Sequence, residues 1–239
     1  MEKHAGMVKN IDDNVGLLLA TLAKEGVLDQ TIILFLSDNG AETFSNYQQQ
    51  YRWIWMNLCN APFRLCKHYA HEGGIATPLI VRWPGVVPAG TINRRQVGHV
   101  MDLLPTLLDA VGGQFPKANL GLATIPPAGQ SLLAAWKNPE QAAPRTLFWE
   151  HGGNEAVRDG KWKLVRPYNL QFLDPFYDRA QQARLERAGG WKLSDMEADR
   201  AELHNLAAQM PDKVAELEAK FAAWAKSVGV ADRGKRDPH

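Results

Sequence analysis

The chain has 239 residues, 45% of them hydrophobic and 22% charged, with 27 Lys+Arg against 26 Asp+Glu and a net charge of +1. That length suits one large domain or one and a half small ones of ordinary globular composition. The charge balance carries no nucleic-acid footprint and no acidic tail, and the longest apolar runs, "IILFL" and "LIV", are too short to span a membrane.

The opening "MEKHAGMVKNIDDN" has no apolar h-region, so it does not read as a signal peptide. Met7, Ile11, Val15, Leu18 and Leu22 recur at spacings of three and four, which predicts one apolar face of a helix, with Gly26 placed as its C′ residue. "TIILFLS" follows. A continuous apolar run of this kind suits a strand buried on both faces, as in a parallel sheet, and "DNG" ends it as a turn. Residues 41–60 lack a clear period and read as a long loop, a usual place for function. "TPLIVRWPG" reads as a second strand closed by Pro84 and Gly85. "MDLLPTLLDAVGG" reads as a helix stopped by Gly112.

Residues 113–130 read as a linking loop. Beyond about residue 144 the segments "RTLFWEH", "EAVRDGKWKLVR" and "WKLSDM" alternate, and "RDGK" signals a hairpin turn, so an antiparallel sheet is expected. Val214, Leu217, Phe221, Trp224 and Val228 then mark an amphipathic helix starting near Pro211. The tail "ADRGKRDPH" reads as frayed. The division expected is an α/β segment over 1–140 and a small α+β unit over 141–239. The chain offers few strands for a sheet buried on both faces, so that sheet looks incomplete at its N-terminal side.

Two stretches carry chemistry. In "SDNG", Asp38 and Asn39 stand at the carboxyl end of the first strand, where open α/β sheets bind ligands. Their hard oxygens suit Ca²⁺ or Mg²⁺, although two ligands do not complete a calcium site and "DNG" is also an ordinary turn. The second stretch is "CNAPFRLCKHYAHEGG". Lys67 is a compact cation suited to an anionic oxygen of a phosphate or sulfate ester, or else a solvated surface lysine. Glu72 reads as a structural hydrogen-bond partner or a base, His68 and His71 as core or surface histidines. Gly73-Gly74 would let backbone approach closely. Cys59 and Cys66, seven apart, make neither a disulfide framework nor a structural zinc pattern.

Taken together, "IDDNVGLLLATLAKEGVLDQT", "IILFLSDNG", "NAPFRLCKHYAHEGGIATPLIVRWPG", "AVRDGKWKLV" and "DMEADRAELHNLAAQMPDKVAELEAKFAAWAKSVGV" resemble the type I sulfatases, the formylglycine-dependent arylsulfatases of the alkaline phosphatase superfamily. The resemblance runs over nearly the whole chain, in the family's order and spacing. It implies the C-terminal part of a sulfatase-type mixed or parallel sheet flanked by helices, then a small subdomain of antiparallel sheet and helix. It implies Asp38 and Asn39 as ligands to a Ca²⁺ (or Mg²⁺) that holds the sulfate. Lys67, five residues before the Glu of "EGG", is implied as the lysine on the sulfate and ester oxygen. His151, with Asn154 in "FWEHGGN", matches a motif that can face the substrate cleft, and Arg64 and His71 lie near Lys67 in the chain. Trp53 and Trp55 could stack on an aromatic or sugar leaving group or simply pack.

The family's nucleophile motif, C-x-P-S-R or S-x-P-S-R, does not occur in these residues. "CNAPFR" misses it by one in spacing and comes after "SDNG" rather than before it, so Cys59 reads as a flanking residue. The N-terminal Asp pair, the lysine and the histidines that precede "SDNG" in the family do not occur either. The chain therefore reads as the C-terminal part of a sulfuric ester hydrolase, inactive alone, with a missing N-terminal sulfatase segment as its partner. The substrate would be a small-molecule or glycan sulfate ester, and the family suggests a periplasmic or secreted location. The rival readings are a phosphatase or phosphonate hydrolase of the same superfamily and a non-catalytic module.

Overall fold

The computed structural model describes residues 2–42, 56–167 and 190–231. Trp53, Trp55 and the tail beyond residue 231 lie outside them, as does most of the 41–60 loop. The chain forms two compact units, one of residues 1–36 and 79–143, the other of residues 37–78 and 144–239. Residues 37–78, which follow the first strand in sequence, thus pack with the C-terminal part of the chain.

In the first unit, α1 runs Glu2–Lys24. Its end follows from Gly26, which takes φ 72. There Val27 N–H donates to Leu22 O and Gly26 N–H to Ala23 O, both at 3.0 Å, a Schellman closure. None of α1 is buried, and its apolar face is open, with Met7 at 65% and Leu18 at 54% exposure. Strand β1 (Ile33–Leu36) pairs with β2 (Leu79–Arg82). The sequence predicts a parallel, doubly buried strand here, and the structure corrects that. The pair is antiparallel and two-stranded, Leu36 stands opposite Leu79, and Phe35 and Ile80 are exposed. The reason is topological: the chain leaves β1 for the second unit and returns at the same end of the pair, which forces opposite directions. Helix α2 (Leu103–Ala110) ends at Gly112, φ 65, as its sequence predicts. The linking loop contains a small hairpin of β3 (Ala118–Asn119) and β4 (Leu122–Ala123), and α3 spans Leu133–Lys137.

The second unit is built on a four-stranded antiparallel sheet in the order β5 (Thr146–His151), β6 (Asn154–Asp159), β7 (Trp162–Arg166), β8 (Lys192–Asp195). Each tight turn is made by glycine at positive φ: Gly152 and Gly153 between β5 and β6, Gly160 between β6 and β7. Strand alternation divides the side chains between two faces. Phe148, Val157, Leu164 and Leu193 face α4 (Pro211–Val228), which buries Leu217 and Phe221 against them; Trp191 and Trp224 complete this core. Pro211 sits in the first turn of α4 and Gly229 closes it at φ 75. The opposite face carries Trp149, Ala156 and Val165, packed against Ala70 of the 56–75 segment. Covered on both sides, β7 is buried through its middle.

Candidate functional site

The "DNG" turn and the "KHYAHEGG" loop both belong to the second unit, and backbone contacts stitch them together. Gly40 N–H donates to Gly74 O at 3.0 Å and Lys67 N–H to Ala41 O at 3.1 Å. Asn60 bridges the two: its Oδ1 accepts from Ala41 N–H and its Nδ2 donates to Leu65 O, both at 2.8 Å. Glycine is required at the crossing. A Cβ on Gly40 would lie 1.7 Å from Gly73 O, and one on Gly73 would lie 2.1 Å from Arg64 O. The "N-x-PFR" and "EGG" signals therefore describe a backbone joint that sets Lys67 beside the Asp38–Asn39 turn.

Lys67 Nζ pairs with Glu42 Oε2 at 3.0 Å, with both side chains part-exposed. His68, held at φ 81, places Nε2 3.8 Å from Glu42 Oε1 and Nδ1 3.0 Å from His151 Nε2, the two rings stacked at 5.2 Å. The structure thus brings together Lys67 and His151, far apart in sequence, through Glu42 and His68. Glu42 carries no motif that would mark it in the sequence, and His68 is marked only by standing next to Lys67. Asn154 is buried, with its amide donating to His151 O at 3.1 Å across the Gly152-Gly153 turn. Arg64 donates from Nη1 to Glu202 O at 3.0 Å. Cys59 is exposed, Cys66 is buried with Met56 and Tyr69, and they form no disulfide.

As a cation site, Asp38 and Asn39 contribute a carboxylate and a carboxamide on consecutive residues of one turn, and Asp38 is exposed. These donors fit a hard cation such as Ca²⁺ or Mg²⁺. Among the described residues no group of three or more His, Cys, Asp or Glu converges on one point. Two donors alone do not complete a calcium site.

Beneath the loop lies a buried ion cluster that the strand pattern hides. Lys163, on the loop-facing side of β7, is fully buried, with Nζ 2.8 Å from Glu72 Oε1 and 3.0 Å from Glu202 Oε1. Glu202 Oε2 accepts from Glu72 N–H at 2.7 Å, while its Oε1 holds Lys163 at ion-pair distance without a hydrogen bond. Glu72 is thus a structural partner, not a base at the surface. His71 is buried beside this cluster, and its Nδ1 makes no hydrogen bond among the described residues. Burial, reinforced by the Lys163, Arg64 and Lys192 cations, holds His71 well below the usual imidazole range, with Glu72 opposing.

That has a measurable consequence. The unfolded chain takes up a proton near pH 6.5 that folded His71 refuses, so the stability tied to this residue is whole above that pH. It declines as the pH falls toward the lowered folded value. Stability should therefore fall between pH 7.5 and 5.5. Urea midpoints across that range should fall for the natural chain and flatten in His71→Gln. An unchanged slope in the variant would show that His71 titrates normally.

Comparison with known proteins points one way. The family model "Sulfatase" matches residues 1–113, and "N-sulphoglucosamine sulphohydrolase, C-terminal" matches residues 64–226. An uncharacterized sulfatase of Schizosaccharomyces pombe is 29% identical over 96% of this chain and 44% of its own. The N-acetylgalactosamine-6-sulfatase of Mus musculus is 34% identical over 67% of this chain and 28% of its own. Among solved structures, Ps i-CgsB in complex with k-i-k-neocarrahexaose is 25% identical at TM-score 0.67, over 92% of this chain and 42% of that one. The phosphonate monoester hydrolase of Agrobacterium radiobacter, 21% identical at TM-score 0.55 over 93% of this chain and 40% of that one, shares the fold. The chain spans less than half the length of each of these relatives.

Proposed function

The chain belongs to the sulfatase family, and on that premise we propose that it supplies one wall of a sulfuric ester hydrolase site. The observation that carries the proposal is the backbone joint: Lys67 N–H on Ala41 O and Gly40 N–H on Gly74 O hold a lysine loop against an Asp-Asn turn. In this reading Asp38 and Asn39 are ligands to a Ca²⁺ or Mg²⁺ ion, which when bound would neutralise charge on the sulfate oxygens. Lys67 binds a non-bridging sulfate oxygen and steadies the charge that grows on the ester oxygen as the S–O bond breaks. Glu42 pairs with Lys67; a sulfate would take the place of that carboxylate. His151 is linked to His68, and in this reading it contacts the alcohol portion of the ester.

The substrate class we favour is a sulfated carbohydrate. One relative bears the name N-acetylgalactosamine-6-sulfatase, and one structural neighbour is complexed with an oligosaccharide. A phosphatase or phosphonate hydrolase has only the shared fold behind it. Attack on sulfur needs a nucleophile, and the formylglycine-forming motif that the family implies is not in these residues. We assign the nucleophile to a further sulfatase segment. The same segment would cover the open apolar side chains of α1 and the β1–β2 pair.

The assay is hydrolysis of a chromogenic aryl sulfate by the purified chain with Ca²⁺. No turnover above a control protein is expected from these 239 residues alone, and turnover is expected once the nucleophile-bearing segment is supplied. Turnover by the chain alone that disappears in Cys59→Ala would overturn the reading. A complemented preparation that binds no sulfate ester would favour the non-catalytic module instead.

A further inference from the structure

We propose that Glu202 is a positioning residue for Lys67, a clamp on the loop that carries the lysine. The inference rests on the reading of Lys67 as the sulfate-binding cation. Glu202 grips both ends of that loop. Its backbone carbonyl accepts from Arg64 Nη1 at 3.0 Å, ahead of Lys67, and its carboxylate accepts from Glu72 N–H at 2.7 Å, behind it. Lys163 locks the second grip from β7, with Nζ 2.8 Å from Glu72 and 3.0 Å from Glu202. The carboxylate is buried, so these contacts face no competition from water.

Backbone conformation shows that the clamp restrains something. Leu65 and His68, on either side of Lys67, sit at φ 62 and 81, and Glu202 itself sits at φ 56. Residues with a Cβ avoid this region, and such strain persists only where surrounding contacts over-determine it. Leu65 is held by Asn60, and beyond His68 the backbone joint holds Gly73 and Gly74 through Arg64 O and Gly40 N–H. Glu202 adds a side-chain hold on Glu72, between His68 and that joint. Releasing it lets His68 relax toward ordinary φ, which swings Lys67 away from Ala41 and His68 away from His151. The residue that binds the anion is therefore set by one far later in the chain, through a contact between residues 130 positions apart.

The test uses the whole chain, Ca²⁺ and inorganic sulfate as the probe, read at the Lys67 side chain by NMR and assigned with Lys67→Ala. Glu202→Ala should weaken sulfate binding about tenfold. Glu202→Gln, which keeps the acceptor for Glu72 N–H, should recover it to within about twofold. Leu217→Ala, a core change under α4, lowers stability without touching the loop and should leave the sulfate affinity at its natural value. If Glu202→Ala does not fold, Glu202→Gly takes its place, since glycine accepts the positive φ. Wild-type affinity in a folded Ala or Gly variant overturns the positioning role alone. An equal loss in Leu217→Ala does so too, by showing that the effect is general destabilisation. A natural chain with no saturable response at Lys67 overturns the functional reading, and the positioning role with it.

Discussion

Lys163→Ala should destabilise the second unit by about 3–5 kcal/mol, the range found when one partner of a buried ion pair is removed. The lysine is fully buried, and its two carboxylate partners, Glu72 and Glu202, are almost so. Deleting the ammonium leaves two buried like charges facing each other, with only the largely exposed Arg200, Nη2 3.9 Å from Glu72 Oε2, as a counter-ion. The desolvation cost that the triad offsets is then unopposed. Replacing all three groups together, Lys163→Met with Glu72→Gln and Glu202→Gln, should recover most of the loss, because no uncompensated charge remains. Urea unfolding of the two variants decides the matter. A loss under about 1 kcal/mol in Lys163→Ala would mean that the cluster behaves as a surface ion pair.

Gly40→Ala is expected to act on the joint itself. The added Cβ would fall 1.7 Å from Gly73 O and 2.8 Å from its carbon, a backbone collision that no side-chain rotation relieves. Overpacking of this kind costs about 1–3 kcal/mol and more when backbone must move. The movement available is separation of the Asp38–Asn39 turn from the 64–74 loop, so the stability loss should come with loss of sulfate binding. Gly16→Ala is a suitable control, since nothing lies within 4 Å of the Cβ it would add. Gly16 is in the interior of α1, where alanine is the better helix former. A Gly40→Ala chain as stable as the natural one would contradict the packing described for the joint.

Much of this arrangement was legible in the sequence. Helix ends at Gly26 and Gly112, the "RDGK" turn and the Val214–Trp224 stripe each follow from local rules, and the structure keeps all of them. What local rules missed were distant pairings. Lys163 alternates with apolar neighbours in "KWKLVR", so period-two reading puts it on a solvated face. It is buried because residues from the 56–75 segment cover that side of β7. Glu202 sits in an irregular stretch with no motif, and its partners lie 130 and 138 residues away. The antiparallel β1–β2 pairing was hidden for a similar reason. Its direction is set by where the chain re-enters the first unit, which no local pattern records.

The candidate residues Asp38, Asn39 and Lys67 came from motif order, and the roles proposed for them come from the resemblance, which spacing alone could not supply. Glu42 and His68 became visible only when folding set them against Lys67 and His151.

The most direct measurement of the central claim is sulfate titration of the purified chain, followed at the Lys67 side chain by NMR with and without Ca²⁺. A saturable shift is expected that is lost in Lys67→Ala and weakened by removing Ca²⁺ or by Asp38→Ala. A Lys67 signal indifferent to sulfate, or a sulfate response that Lys67→Ala leaves intact, would contradict it.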